Sequence, residues 1–545
     1  MRERLLAAGL QALGELTRLP EAIRFERAAR RPARAQEERL REMIAANADT
    51  DFGRKYDLGR VRTIADLRAR VPVQTYADIE PFIARQMNGE KRVLSAEDPI
   101  FFASSTGTTG KPKRTPVTPR FRQEFQRTVF VSMAHVAARF PAAFSGQALY
   151  FVGSRELGRA PCGTPIGFTS GYNFTTLPPL VRRVYAWPYE LFEVKDLDAR
   201  TYLALWLAAT RPVTFVAGVF PLALLAMLRA VPALAEPLAR DLRNGTLRDD
   251  IALSPAERAF FEKLARRDTR AADRIAAGGS VFPHLRLVYC WIGASAGHYV
   301  PELRERLGHE VAVRDAIYAA NEGWGNVTFG EEELGGPLAI TSHVFEFIAE
   351  NGEELLPHEL EVGRRYRILL TTGAGIHRYD LGDIVECTGM YHATPRIRFV
   401  RRAGASLSIA GEKLDEAHVI GAAEKALARV GLEAEFFTAV PRFVPSPRWQ
   451  VAVELRGKAT DGQLEALRRE MDIALGDAAD DYRIYRKSTL GPLALLVVAP
   501  GEHERLRREA IASGRPDAQL KVQNLSTDPE EPARAGWRVE RVVEV

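Results

Sequence analysis

Between about residue 98 and residue 390, short apolar runs alternate with helical stretches, and this alternation limits the fold more than any other feature of the chain. PIFFASS is followed by FRQEFQRTVFVSMAHVAARF and QALYFVG, and later LRLVYCWIG, PELRERLG and VAVRDAIYAA repeat the pattern. A strand followed by a helix that returns to a neighbouring strand builds a parallel sheet. The expected fold is therefore α/β, with sheets that are at least partly parallel.

The flanks read differently. Residues 1–95 carry helical patterns: Leu6, Leu10, Leu13 and Leu16 form an amphipathic stripe, and Leu40, Ile44 and Ala45 mark another face. The Arg-rich stretch from Arg24 to Arg41 reads as a solvated helix face. In the last 140 residues or so, RWQVAVEL places Trp449, Val451, Val453 and Leu455 on one face at period two. DGQLEALRREMDIAL places Leu464, Leu467, Met471 and Leu475 on one helical face. PLALLVVAP and the helix EHERLRREAIASG follow, with Gly514 as its cap. This order predicts a small, mobile α+β domain over 405–545, after a large domain over 1–404.

Composition narrows the class of function. With 545 residues, 46% hydrophobic and 27% charged, the chain is an ordinary globular protein of two to four folding units. The 75 basic and 70 acidic residues nearly balance, which gives no nucleic-acid footprint. Cys162, Cys290 and Cys387 form no CxxC pair and are odd in number; a reducing cytoplasm is expected, with no disulfide framework or zinc site. Val213–Leu228 is the longest apolar run, shorter than the ~20 residues that span a bilayer, and Pro221 interrupts it. It reads as buried core, and no stable membrane association is expected.

Four segments carry chemistry. In FFASSTGTTGKPKRTPVT a strand runs into Ser104, Ser105, Thr106, Gly107, Thr108, Thr109 and Gly110, then Lys111 and Lys113. Glycines let backbone N–H groups converge, hydroxyls add donors and lysines add charge, which together suit a polyphosphate. Most basic residues here are arginine, so lysines at such positions stand out. The spacing is not that of a Walker loop. Tyr318-Ala319-Ala320-Asn321-Glu322-Gly323 follows a strand, and a carboxylate there suits either a cap or a Mg²⁺ ion. His377-Arg378-Tyr379-Asp380-Leu381-Gly382-Asp383 offers two carboxylates beside a glycine, for a capped turn, a ribose diol or a metal. Lys521, in QLKV, lies in a loop after Gly514.

Together these segments resemble the adenylate-forming superfamily, and more closely the Gretchen-Hagen-three family of acyl-acid amido synthetases, in a bacterial-type form. SSTGTTGKPK is similar to the first nucleotide motif. YAANEG is similar to the second, usually Tyr-x-Ser-Ser-Glu. RYDLGD is similar to the third, usually Tyr-Arg-x-Gly-Asp. VPVQTYADIEPFIARQMNGE resembles the family's lead-in, and WIGASAGHYVPEL the segment before the second motif. RIRFVRRAGASLSIAGEKLDE resembles the domain junction, and LRREAIASGRPDAQLKVQN the C-terminal lysine segment. Ala320 and Asn321 stand where the family has paired serines, and Asp380 is an additional acid.

The resemblance implies ATP-dependent conversion of a carboxylic acid to an acyl-AMP, then transfer of the acyl group to the amine of an amino acid. It implies that Ser104 to Thr109 cradle phosphates and that Gly293, Ala294 and Ser295 lie beside adenine. It further implies that Tyr318 to Glu322 line the nucleotide, Glu322 holds Mg²⁺, Asp383 accepts from the ribose, and Lys521 acts in catalysis. An acyl-CoA ligase shares the first half-reaction and is the second reading; a non-catalytic nucleotide-binding relative is the third. GTPIGFTSGYN (163–173) reads equally as a surface loop or as a wall of the acyl pocket.

Overall fold

Helix α1 (Pro32–Asn47) begins at a proline, whose fixed φ suits the first turn. It buries Gln36, Arg39, Leu40, Met43, Ile44 and Asn47. The inward face therefore holds Met43, whereas Ala45 is exposed. The arginines of the 24–41 stretch are exposed, as a solvated face requires, except Arg39, which is buried because a carboxylate from another helix meets it. The computed structural model describes residues 19–105, 113–218, 220–402, 406–512 and 524–544. The expected helix over residues 6–16, Thr106, Gly107, Thr108, Thr109, Lys111, Gly514 and Lys521 lie outside the described residues.

The chain parts into two compact units: the first runs to Ser105 and again from Arg114 to Arg401, and the second holds the chain from Arg402 onward together with Lys113. In the first, α2 (Tyr76–Met87) starts where Asp78 accepts from the Thr75 backbone N–H at 2.8 Å. Strands β1 (Phe101–Ser105) and β2 (Lys113–Val117) follow. Helix α3 (Pro119–Arg139) is capped by Thr118 and buries Phe121, Glu124, Thr128 and Val131 on one face. Next come β3 (Gln147–Tyr150), β4 (Gly158–Arg159), β5 (Pro165–Gly167) and α4 (Thr169–Thr175). The segment 163–173 is thus a strand leading into a helix rather than a loop, with β5 parallel to β1.

Helix α5 (Leu197–Ala209) is buried almost all round. It precedes β6 (Val213–Ala217) and α6 (Leu222–Asn244). The longest apolar run is thus a strand and the start of a helix. Among the described residues no helix is long and apolar enough to cross a membrane. Strand β7 (Leu287–Cys290), helix α7 (Val300–Leu307) and strand β8 (Ala312–Asp315) complete a four-stranded sheet in the order β3-β6-β7-β8. Every pairing in it is parallel, as the strand–helix alternation requires.

The chain then turns antiparallel. Hairpin β9 (Ala319–Ala320) and β10 (Gly323–Trp324) precedes β11 (Gly336–Pro337), β12 (Val344–Ile348), β13 (Glu354–Leu355), β14 (Arg365–Thr371), β15 (Tyr379–Tyr391) and β16 (Thr394–Arg402). The last six form one sheet in the order β11-β16-β15-β14-β12-β13. This sheet packs with α1, α2 and β1 in the largest core, which includes Leu40, Phe52, Phe102, Phe345, Ile368 and Tyr379.

The second unit holds the short pair β17 (Ser406–Leu407) and β18 (Leu414–Asp415), then helix α8 (Glu416–Val430). Strand β19 (Ala434–Arg442), strand β20 (Arg448–Leu455), helix α9 (Asp461–Ala478), strand β21 (Ala494–Val498), helix α10 (Glu502–Ala512) and strand β22 (Val539–Val543) follow. Its sheet runs β19-β20-β21-β22. Leu464, Leu467, Met471 and Leu475 are buried along α9, at the helical spacing expected.

Candidate active site

Strands β7 and β8 are parallel neighbours, so their C-terminal ends lie side by side, with Cys290 opposite Asp315. The chain leaves both at one edge of the sheet, where open α/β sheets bind ligands. After β7 comes Gly293, in extended backbone at φ −98°, heading the short helical turn Ala294–Tyr299 that contains Ser295. After β8 comes the Tyr318–Glu322 segment. Asp315 fastens the two exits: its carboxylate accepts from Ile292 N–H at 3.2 Å and Gly335 N–H at 2.8 Å. Burial pushes its pKa up, against the pull of those donors.

The Tyr318 backbone N–H donates to Asn326 Oδ1 at 2.8 Å. The Tyr318 ring lies so close to Gly325 that a Cβ there would stand 2.3 Å from its Cδ1, so only glycine fits. In the hairpin, Ala319 pairs with Trp324 and Ala320 with Gly323, which leaves Asn321 and Glu322 as the turn. The two alanines pack against the large core. Asn321 Oδ1 accepts from the Thr169 hydroxyl at 3.3 Å, which ties the turn to α4.

The third motif opens β15. Gly382 has φ 68°, a left-handed conformation that favours glycine, and its N–H donates to Asp380 Oδ1 at 2.8 Å. Asp380 also lies 3.3 Å from the Arg367 guanidinium. The additional acid therefore holds the bend in β15 and pairs with a neighbouring strand. Beyond the bend, Asp383 Oδ2 accepts from the Tyr318 hydroxyl at 2.6 Å. In return, the Tyr379 hydroxyl lies 3.5 Å from Glu322 Oε1. Each motif thus lends a tyrosine to the other's carboxylate. All four residues are buried, and Glu322 is 7% exposed.

Three residues that sequence reasoning missed, Gln74, Tyr76 and Arg114, complete the place. The main chain of Gln74 bridges to β15, accepting from Asp380 N–H and donating to the Arg378 carbonyl, each at 2.9 Å. That bridge delivers Tyr76, whose hydroxyl accepts from the Arg114 backbone N–H at 2.8 Å. Burial pushes the Tyr76 phenol up, and the charges of Glu80 and Glu322 add to the push. The Arg114 guanidinium hydrogen-bonds the hydroxyl of Ser104, which is buried near the end of β1. Ser105 ends that strand. The described parts of all three motifs therefore converge around Glu322 and Asp383.

Among the described residues no group of three or more His, Cys, Asp or Glu side chains is arranged to hold a metal. The donor set suits a different kind of site: Mg²⁺ takes one or two carboxylates and completes its shell with phosphate oxygens and water. Glu322, buried and with no ion pair among the described residues, is such a carboxylate. The two buried thiols, Cys290 and Cys387, offer no competing nucleophile here. Burial pushes Cys290 up to about 12, and Cys387 is also raised.

Comparison with known proteins shows the family. Residues 21–312 match the GH3 family N-terminal domain, residues 336–402 the central domain and residues 417–530 the C-terminal domain. The central match spans the antiparallel sheet. The chain is 26% identical over 542 residues to the indole-3-acetic acid-amido synthetase GH3.3 of Arabidopsis thaliana, covering 92% of this chain and 91% of that one. It is 27% identical over 538 residues to the jasmonoyl-L-amino acid synthetase JAR6 of Nicotiana attenuata, covering 91% and 92%. Among solved structures, the GH3.15 acyl acid amido synthetase superposes with a TM-score of 0.64 at 20% identity, covering 95% of each chain.

Proposed function

Because the chain belongs to the GH3 family, we propose that it is an ATP-dependent acyl-acid amido synthetase, a ligase that joins a small carboxylic acid to the amine of an amino acid. The observation that carries this reading is the reciprocal pairing of Tyr318 with Asp383 and of Tyr379 with Glu322. It brings two nucleotide motifs to one sheet edge.

A carboxylate does not acylate an amine directly, because its leaving group would be oxide. In the first step a carboxylate oxygen attacks the α-phosphorus of ATP, and the bond to pyrophosphate breaks. In the second the amine attacks the acyl carbonyl, AMP leaves with the carboxylate oxygen, and the amine gives up a proton. Positioning and charge stabilisation supply most of the rate.

Ser104 to Thr109 cradle the phosphates, with Arg114 steadying Ser104. Gly293, Ala294, Ser295 and Tyr318 to Asn321 line the nucleotide, and Asp383 accepts from the ribose hydroxyls. Glu322 is the ligand for Mg²⁺, which when bound supplies positive charge to the phosphate oxygens. Lys521 acts in catalysis as a positive charge for the reacting carboxylate or phosphate. A cytoplasmic setting belongs to the same proposal and is supported by the free thiols of Cys162, Cys290 and Cys387.

The test is a pyrophosphate-release screen across carboxylic acids, followed by mass analysis of products with mixed amino acids or with CoA. An amide is expected. A CoA thioester with no amide from any amino acid would replace this reading with that of an acyl-CoA ligase.

A further inference from the structure

Behind the Glu322 hairpin lies a chain of buried polar groups that packing alone does not require. His343, just before β12, is fully buried. Its Nε2 accepts from the Trp324 backbone N–H at 3.2 Å. Because Nε2 accepts, the ring's N–H is at Nδ1. Nδ1 lies 3.1 Å from Glu124 Oε2, in a geometry that falls short of a hydrogen bond.

Glu124, also fully buried, takes Arg39 Nη2 at 2.6 Å and the Gly373 N–H at 2.9 Å. Arg39 in turn donates to the Ser342 carbonyl at 2.9 Å, and Gln36 donates to the His343 carbonyl at 2.9 Å. The backbone around His343 is thus held from α1, its ring faces Glu124 of α3, and Nε2 meets the hairpin.

The contact falls on the two residues after Glu322. A Cβ on Gly323 would stand 3.2 Å from His343 Nε2 and 2.7 Å from Leu370 Cδ1. The Trp324 ring stacks on Phe121 at 5.2 Å and lies tilted against Phe125 at 4.5 Å. Apolar residues of similar volume replace buried charge chains at little cost, or with a gain in stability. A chain that ends on one backbone N–H instead specifies register.

We propose that His343 is a positioning residue for adenylation: its Nε2 fixes the Trp324 N–H, and with it the turn that presents Glu322 to the magnesium-bound phosphates. The part played by Glu322 rests on the function proposed above; the hold on the hairpin does not.

Two variants separate the ends of the ring. Glutamine at 343 places an amide oxygen where Nε2 stands and keeps the acceptor for Trp324. Asparagine keeps a donor near Nδ1 but ends short of the hairpin. The full-length protein is compared by hydrogen–deuterium exchange of the peptide spanning 318–326, by melting temperature, and by Mg²⁺ titration of ATP–pyrophosphate exchange.

In His343→Asn, hairpin exchange should quicken at least about tenfold, as expected for loss of one buried hydrogen bond. kcat should fall by a similar factor, the Mg²⁺ requirement should rise, and KM for the acid should stay within about twofold. His343→Gln should restore hairpin protection and most of the rate. Wild-type hairpin exchange in His343→Asn, or equal loss of rate in both variants with the hairpin intact, overturns the proposal.

Should His343→Asn fail to fold, His343→Gln carries the test. Retained protection and Mg²⁺ response support the proposal, and their loss at an unchanged melting temperature refutes it. If no acid supports pyrophosphate exchange in the wild type, the functional reading fails while hairpin exchange still reports on His343.

Discussion

The Tyr318 hydroxyl donates to Asp383 Oδ2 at 2.6 Å, joining residues 65 apart in sequence within a buried site. Removing it leaves a buried carboxylate short of a donor, which costs about 1–3 kcal/mol. Tyr318→Phe should therefore slow ATP–pyrophosphate exchange by roughly five- to a hundredfold and raise KM for ATP. Unchanged exchange kinetics would show that this hydroxyl does not shape the nucleotide site.

The carboxylates themselves should matter more than their tyrosines. Glu322→Gln removes the charge offered to Mg²⁺, and Asp383→Ala removes the ribose acceptor. Each should cost at least ~2 kcal/mol of transition-state stabilisation, about thirtyfold in rate, in a folded protein. Tyr379→Phe should do much less, because its contact with Glu322 is 3.5 Å long. Steady-state exchange assays on the three variants, with melting curves as a control for folding, check this order.

Much of the site was legible in the sequence. The strands before the first and second motifs were visible as apolar runs, and the ordered spacing of three motifs pointed to one nucleotide. The antiparallel sheet was not foreseen. Val344 to Phe347 on β12 and Ile368 to Thr371 on β14 are buried residue after residue, so they show no alternation. Arg39 looked like one more surface arginine, because its partner Glu124 lies 85 residues away. Tyr76 and His343 were hidden for a related reason. Each bonds a backbone N–H, and a backbone donor leaves no mark in residue type.

His377, beside the third motif, carries an acid sensitivity. It is fully buried and its ring stacks on Phe52 at a centroid distance of 5.3 Å. Burial lowers its pKa from 6.5 to about 4. The unfolded chain therefore takes up a proton at a pH where the native state does not. Stability should be full above pH 6.5 and fall as pH drops toward 4, by up to about 3 kcal/mol from this group. His377→Phe, which keeps the stacking, should flatten the melting temperature across that window. An acid profile identical to wild type would refute the assignment.

Glu412, in the second unit, works in the opposite sense. Its buried carboxyl accepts from Ile409 N–H at 2.9 Å, Ala410 N–H at 2.7 Å and Trp449 Nε1 at 2.8 Å. Burial outweighs these donors and raises it from 4.5 to about 7. The native state then holds a proton that the unfolded chain has lost. Stability from this group is present below pH 4.5 and declines as pH rises toward 7. Relative to wild type, Glu412→Gln should gain melting temperature as pH rises from about 5 to about 7.5. A constant difference across that range would contradict this.

The central claim is that the acid's own oxygen attacks the α-phosphorus before an amine takes the acyl group. It is tested most directly with an accepted acid whose carboxylate carries ¹⁸O, incubated with ATP, Mg²⁺ and an accepted amino acid, and with the AMP weighed by mass spectrometry. The account predicts AMP carrying one ¹⁸O from the acid, in step with formation of the amide. Unlabelled AMP, or ADP with the label in inorganic phosphate, would contradict it.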